Sequence, residues 1–376
     1  MKKLRIADCG LRKEKRLVRK THSQDSSSRR EPPNSNSPQH KKAYAQAGVD
    51  VDLGNAVKSK IHARVKVTHG PEVLGKIGGF GGLFQPDFSG MRDPVLVSSV
   101  DGVGTKLKIA FAMNRHDTVG ADLVNHCVND IAVIGARPLF FLDYIGAERL
   151  EPDVFGQIIT GFTRACKAAG CALIGGETAQ MPGMYRRGEY DLAGTIIGVV
   201  ERKKMIDGAR VSPGDVVLGL PSDGLHTNGY SLARKILLEQ MKLDLSSKVD
   251  GLVKPLGEEL LRVHRNYQPL LGRLPNGLVK GLAHITGGGL VDNLPRVLPK
   301  NCDAVIETTS WKVPALFALL QKGGNVDVAE MYQVFNMGIG MAIIVSARDE
   351  AAAKKLTRAK RIGHIIRGSG VVRLHF

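Results

Sequence analysis

Between Pro94 and Val345, short apolar runs rich in β-branched residues alternate with longer stretches of helical period. Several runs close on an acid beside glycine. That alternation is the strongest constraint on the fold, because it predicts an α/β chain whose strand-end loops carry the chemistry. Strands are expected at 94–100, 139–145, 171–175 and 190–200, and helices at 121–134 and 152–169. In the first helix Leu123, Cys127 and Ile131 stand four apart, Val124 and Val128 lie beside them, and Gly135 and Pro138 stop the pattern. After a charged linker at 201–210 the habit resumes. Strands are expected at 216–220, 304–307 and 338–345 and helices at 230–240 and 313–320, followed by a short helix and two strands. The economical division is a segment 1–42, a domain 43–205 and a domain 206–376.

Charge and cysteine content remove several classes of function. The net charge of +17 resides at the ends: residues 1–42 carry +9, residues 351–376 carry +7, and the 308 residues between carry +1. A neutral body in a chain with 5% aromatic residues lacks the interleaved Arg and aromatic patches of a nucleic-acid binder. Residues 1–42 read as a flexible basic tail. Asp8, Glu14, Asp25 and Glu31 argue against a transit peptide there. The best apolar run, 131–145, is broken by Arg137 and Asp143, too short for a membrane span. Five cysteines without a C-x-x-C spacing suit a reducing compartment, and a cytoplasmic protein is expected.

Glycine supplies 44 of 376 residues, above ordinary usage, and it is clustered at 75–82, 101–106, 175–178 and 286–289. Bare N–H groups in such loops can approach phosphate oxygens, yet neither a P-loop nor a G-x-G-x-x-G fingerprint is present. Acids beside the glycines sharpen the reading. Asp101 closes a strand and is followed by Gly102, Gly104 and Lys106. Asp130 shares a helical stripe with Asp122 and His126, and Glu177 follows two glycines. Carboxylates at strand ends beside glycine loops and a lysine are what a Mg²⁺–polyphosphate site requires. The competing structural reading has Asp130 cap or pair with Arg137 and Asp122 favour the helix N-terminus. Ser222-Asp-Gly-Leu-His-Thr-Asn-Gly229, between a strand and a helix, offers an anion pocket.

These residues carry a family resemblance. Gly78-Gly-Phe-Gly-Gly82, Asp101-Gly-Val-Gly-Thr-Lys106, Val128-Asn-Asp130 with Gly135-Ala-Arg-Pro138, Gly175-Gly-Glu-Thr-Ala-Gln-Met-Pro-Gly-Met-Tyr185, His226-Thr-Asn-Gly-Tyr-Ser231 and His284-Ile-Thr-Gly-Gly-Gly289 resemble the phosphoribosylformylglycinamidine cyclo-ligases, the aminoimidazole ribonucleotide synthetases. The 175–185 string is the most specific. The resemblance implies ATP-dependent closure of formylglycinamidine ribonucleotide to aminoimidazole ribonucleotide with release of ADP and phosphate, a step of purine biosynthesis. In the implied chemistry ATP phosphorylates the amide oxygen and the neighbouring nitrogen closes the ring. The implied fold is α/β of the α+β type, in two domains: an N-terminal strand half-barrel with helices that dimerises, and a C-terminal α/β sandwich.

By the same resemblance, Asp101, Lys106, Asp130 and His226 are expected to be catalytic. Gly79, Gly81, Gly82, Gly104, Thr105, Lys106 and Asn129 are expected to hold ATP. Ser222, His226, Thr227 and Asn228 are expected to hold the ribonucleotide, and Asp101, Asp130 and Glu177 a Mg²⁺ ion. A homodimer, no membrane and no nucleic acid are expected as partners. Three departures stand out: residues 1–42 have no counterpart, Val263-His-Arg-Asn-Tyr267 replaces the usual Pro-Thr-x-Ile-Tyr, and Met337 stands where a cysteine is usual. A selenide or thiamine-monophosphate kinase would share Asp130–Pro138 but lack the 175–185 and 284–289 strings.

Overall fold

The computed structural model describes residues 43–376, so the segment read as a basic tail lies outside the described residues. Helix α1 (Val51–Lys66) starts where the Asp50 carboxylate accepts the Leu53 N–H. The first sheet contains β1 (Pro94–Gly102), β2 (Arg137–Ala147), β3 (Ala172–Gln180) and β4 (Tyr190–Glu201) in the order β1-β4-β2-β3. Only the β2–β3 pair is parallel, and its crossover is the helix Pro152–Ala169. Two of these strands outrun their sequence patterns. Asp101 and Gly102 still pair with Gly194 and Ala193, and Glu177 lies inside β3. Polar residues can continue a strand where the neighbouring ladder holds the backbone.

Helix α2 (Val119–Ala132) lies across β1 and β4 and along α3 (Pro152–Ala169). Every residue of α2 except Asp130 is buried. A helix covered on all sides needs partners for its polar stripe, and the second half of the chain supplies them. Close approach of α2 and α3 depends on glycine. A Cβ on Gly161 would stand 2.8 Å from the Asp117 carbonyl oxygen and 3.0 Å from the Ala121 nitrogen, and one on Gly120 would stand 2.4 Å from the Ile158 oxygen. Gly161→Ala therefore loses about 1–3 kcal/mol through overpacking instead of gaining helix propensity. Urea denaturation measures the difference, and an unchanged or raised midpoint contradicts the crossing.

The second sheet runs β10-β7-β9-β5-β8-β6, from β5 (Val216–Pro221), β6 (Val279–His284), β7 (Cys302–Glu307), β8 (Ile339–Val345), β9 (Lys360–Arg367) and β10 (Val372–His375). Val217, Ala342 and Ile344 face α4 (Tyr230–Arg234, continued as a π-turn to Gln240) and α5 (Ala315–Gly324). Val216, Leu218, Met341 and Ile343 face the other way, onto Tyr267, Leu271 and the end of α2. Strand β6 had no clean alternation, since Lys280 and Gly281 interrupt it; pairing with β8 defines it and sets His284 opposite Met341. Four cysteines lie among the described residues, all free and buried. No described helix is long and apolar enough to cross a membrane.

One carboxylate pins the C-terminal strand. Asp303 on β7 accepts the N–H groups of Ser369, Gly370 and Val371 and pairs with Arg373. The Val371 and Ser369 N–H groups, with Arg373 adding its charge against the cost of burial, hold its pKa down to about 2. A depressed carboxylate contributes stability above its unfolded value near 3.9, and that stability is lost as pH falls toward 2. Asp303→Asn should thus be less stable than the parent at pH 6, with the gap in denaturant midpoint narrowing as pH falls from 4 toward 2. A pH-independent gap contradicts the assignment.

Candidate active site

The polar stripe of α2 meets loops from the second half of the chain. The His126 Nε2 stands 2.9 Å from Asp101 Oδ2 at the end of β1, and its Nδ1 stands 2.8 Å from the Thr227 hydroxyl. One turn on, Asp130 Oδ1 lies 2.8 Å from the Nδ1 of His284, where β6 ends, and its Oδ2 accepts the Ser99 hydroxyl at 3.0 Å. Behind them the His264 Nε2 is 2.8 Å from the His284 Nε2, and the His264 ring stacks on that of His226 at 4.0 Å. Four imidazoles and two carboxylates thus form one network between the two sheets. The histidine side chains of the two ion pairs are 5% and 3% exposed, Asp101 and Asp130 35% and 28%. The network is closed behind the rings and open in front of the acids.

Burial and charge set the protonation of these groups. Burial lowers His126, but the hydrogen bond and charge of Asp101, with Asp130 and Asp122 adding, outweigh it and leave its pKa raised. Burial dominates at His226 and His264, which are driven well below the usual range, and it lowers His284 against the pull of Asp130. Burial would raise Asp130, but His284, His126 and the Ser99 hydroxyl hold it below the ordinary carboxylate value.

The expected site residues divide. Asp101 and Asp130 come together, and Asp130 pairs with His284 while Arg137 donates to the Asp87 carbonyl. Gly104 and Thr105 are exposed beside them, with the Thr105 hydroxyl 3.0 Å from that of Ser231. Asn228 is half-buried next to Gly287. Ser222 faces Asn336, its hydroxyl 2.9 Å from the amide oxygen. Thr227 is buried, and its hydroxyl is held between His126 and His264.

Four expected residues stand otherwise in the fold. Lys106 faces the interior: its ammonium, fully buried, donates to Asp122 Oδ1 at 2.8 Å, the Arg262 carbonyl at 2.6 Å and the His226 carbonyl at 3.1 Å. Its three donors are used, so none remains for a phosphate. Asn129 is also spent internally, donating to the Arg265 carbonyl and accepting the Tyr267 N–H. His226 is buried with φ +64°, and its Nε2 accepts the Asp223 N–H, which makes it a fixed part of the loop.

Glu177 does not join the acids. Asp101, Gly194, Asp143 and Gly176 form one row across the sheet, so Asp101 and β3 are three strands, about 14 Å, apart. Glu177 is one residue past that row and points to the opposite face. Gly79, Gly81 and Gly82 lie exposed in a loop against β3, where a Gly82 Cβ would stand 2.8 Å from Ile174. Within one chain that loop is on the edge of the sheet away from Asp101.

Sequence reasoning missed His264, gave His284 no role and weighed Asp122 between the polar stripe and a group favouring the helix N-terminus. The one available signal was the spacing of Asp122, His126 and Asp130 on a helix otherwise apolar. A cavity of about 650 Å³ opens elsewhere, among residues of 132–137, 199–206 and 268–282, and none of the expected site residues lines it.

Comparison with known proteins places the chain. Residues 90–200 match the family described as AIR synthase related protein, N-terminal domain, and residues 212–375 the corresponding C-terminal domain. A phosphoribosylformylglycinamidine cyclo-ligase of Trichlorobacter lovleyi is 52% identical over 81% of this chain and 88% of its own length. That of Bacillus thuringiensis subsp. konkukian is 49% identical over 88% of this chain and 97% of its own. Among solved structures, thiamine-monophosphate kinase from Stenotrophomonas maltophilia aligns with TM-score 0.63 at 21% identity, covering 85% of this chain and 95% of that one. The hydrogenase maturation protein HypE in complex with ATP aligns with TM-score 0.62 at 20% identity, covering 85% and 90%. Those two likenesses show a shared fold, whereas identity near 50% along most of both chains separates this sequence from the kinases. The chain belongs to the phosphoribosylformylglycinamidine cyclo-ligase family.

Proposed function

We propose that the protein closes formylglycinamidine ribonucleotide to aminoimidazole ribonucleotide at the expense of ATP, releasing ADP and phosphate. One observation supports this most directly. Two half-exposed carboxylates, Asp101 and Asp130, stand where the two halves of the chain meet, each held by a buried histidine. An amide oxygen is a poor leaving group. Its phosphorylation needs positioned charge more than covalent participation by protein. Asp101 and Asp130 would hold a divalent cation against the phosphates, and the exposed Gly104 and Thr105 would offer donors to the same anion. The cation would neutralise charge as the phosphoryl group moves. The donor set fits a cation, since both acids are anchored by neighbours and still reach solvent. Thr227 and Asn228 would orient the ribonucleotide end, with His226 and Lys106 fixing the loop that carries them.

The N-terminal portion 43–205 would act as a dimer through its open sheet face. β1 is an edge strand, and Leu96 and Val100 on it are 63% and 68% exposed. An unpaired apolar edge is an association surface. A partner copy would seal it. Light scattering should report a dimer, and Val100→Lys should weaken it. A fully active monomer contradicts this part of the reading.

The reaction is tested by mixing the purified protein with formylglycinamidine ribonucleotide, ATP and Mg²⁺. ADP release that requires the ribonucleotide, together with the aminoimidazole product, supports the reading. ADP release without the ribonucleotide, or no imidazole product, overturns it.

A further inference from the structure

We propose that His126, Asp130 and His284 form a mixed nitrogen–oxygen centre for a divalent transition ion such as Mn²⁺, Co²⁺ or Zn²⁺, with Asp101 beside it holding His126. This rests on the reading of Asp101 and Asp130 as the cation-facing acids and names the class of ion they take. Ligand atoms of His126, Asp130 and His284 all lie within 4.8 Å of one another, while Asp101 stands outside that trio with its Oδ2 2.9 Å from His126 Nε2. The His126 and His284 rings are nearly perpendicular, 87° apart with centroids at 5.2 Å. Three protein ligands of this kind leave a further position for a water or a phosphate oxygen, as in open zinc sites.

The surroundings are those of ligands held in place. The outer nitrogen of His126 faces the Thr227 hydroxyl, that of His284 faces His264, and the second oxygen of Asp130 accepts from Ser99. Such outer contacts orient ligands and fix which ring nitrogen is free. A hydroxyl can donate or accept, so Thr227 keeps a bond to His126 when the proton leaves the inner nitrogen for the outer one. Any proton shared between an imidazole and its carboxylate is released to solvent as the ion enters. The histidines close the back of the centre, and the exposed acids leave its front free for a phosphate oxygen.

Imidazole nitrogen favours first-row transition ions, whereas Mg²⁺ favours oxygen alone. The neighbouring trio of His226, His264 and His284 is a poorer cage. The first two rings are stacked at 22°, so their in-plane lone pairs run side by side instead of converging. His264 therefore serves as a positioning residue for His284, supplied by the segment 263–267 that departs from the family pattern.

The test uses the full chain, freed of metal by a chelator and titrated with Co²⁺. Binding should produce the intense visible absorption of a low-coordinate nitrogen-ligated ion, and Zn²⁺ should displace it. His284→Gln and His126→Gln should each weaken Co²⁺ binding by about a hundredfold or more, and His264→Gln by about ten- to a hundredfold. Circular dichroism of each metal-free variant checks that it folds. If Co²⁺ binds the folded His126→Gln/His284→Gln double variant as tightly as the parent, or gives only the weak bands of an all-oxygen octahedral ion, the proposal fails. Metal binding without ring closure would overturn the proposed function and leave this centre standing. Ring closure with Mg²⁺ and no tight Co²⁺ site would do the reverse.

Discussion

Asp130→Asn is expected to lower turnover by about a hundredfold to a thousandfold, the range seen when one preorganised electrostatic contact is removed, while the protein stays folded. The asparagine keeps the shape and can still accept the Ser99 hydroxyl, which now lies 3.0 Å from Oδ2. It loses the negative charge that faces both His284 and the open front of the site. The charge is what a cation–phosphate group would sense. The loss should appear mainly in kcat, with a higher divalent-ion concentration needed for half-maximal rate. Near-parental turnover with an unchanged metal requirement would remove Asp130 from the machinery.

The second large effect is on stability. Lys106→Met should destabilise the protein by about 3–5 kcal/mol, because it leaves Asp122 as an uncompensated buried charge. Both side chains are fully buried, and burial pushes Lys106 down and Asp122 up from their ordinary values. Among the described residues Asp122 Oδ2 has no hydrogen-bond partner, so its compensation comes through Oδ1, which Lys106 and the His264 N–H share. The lysine also ties α2 to the carbonyls of His226 and Arg262, joining both halves of the chain. Adding Asp122→Asn should return part of the loss, and the non-additivity measures the pair. Guanidinium unfolding reads the effect. A stable Lys106→Met variant with only a raised ATP KM would restore the phosphate-binding reading that the buried geometry displaces.

Much of the secondary structure was legible because periodicity reports which face of an element is buried. The helix over 121–134 and the strands at 94–100 and 190–200 appear within a few residues of their expected limits. Strand ends were less legible, as Asp101 and Glu177 show. A carboxylate reads as a strand terminator, yet hydrogen bonding to a neighbouring strand carried both ladders past it. That difference changed the chemistry. Once Glu177 is inside β3, the alternation of side chains decides its face, and that face is the wrong one.

The site itself shows the sharper division. The order of residues alone determined that acids and glycine-rich loops would cluster along the strands of an α/β chain, and which family such strings belong to. It did not decide what each polar group touches. Lys106 follows a glycine turn just as a phosphate-binding lysine would; only the packing of α2 against residues 222–228 and 262–267 turned its ammonium inward. His126, His264 and His284 stand 138 and 20 positions apart along the chain, yet their rings lie about 5 Å from one another in the folded protein. Local patterns encode burial and turn geometry, because those depend on near neighbours. Convergence of distant side chains depends on how the two sheets close on one helix, and no short stretch of sequence carries that information.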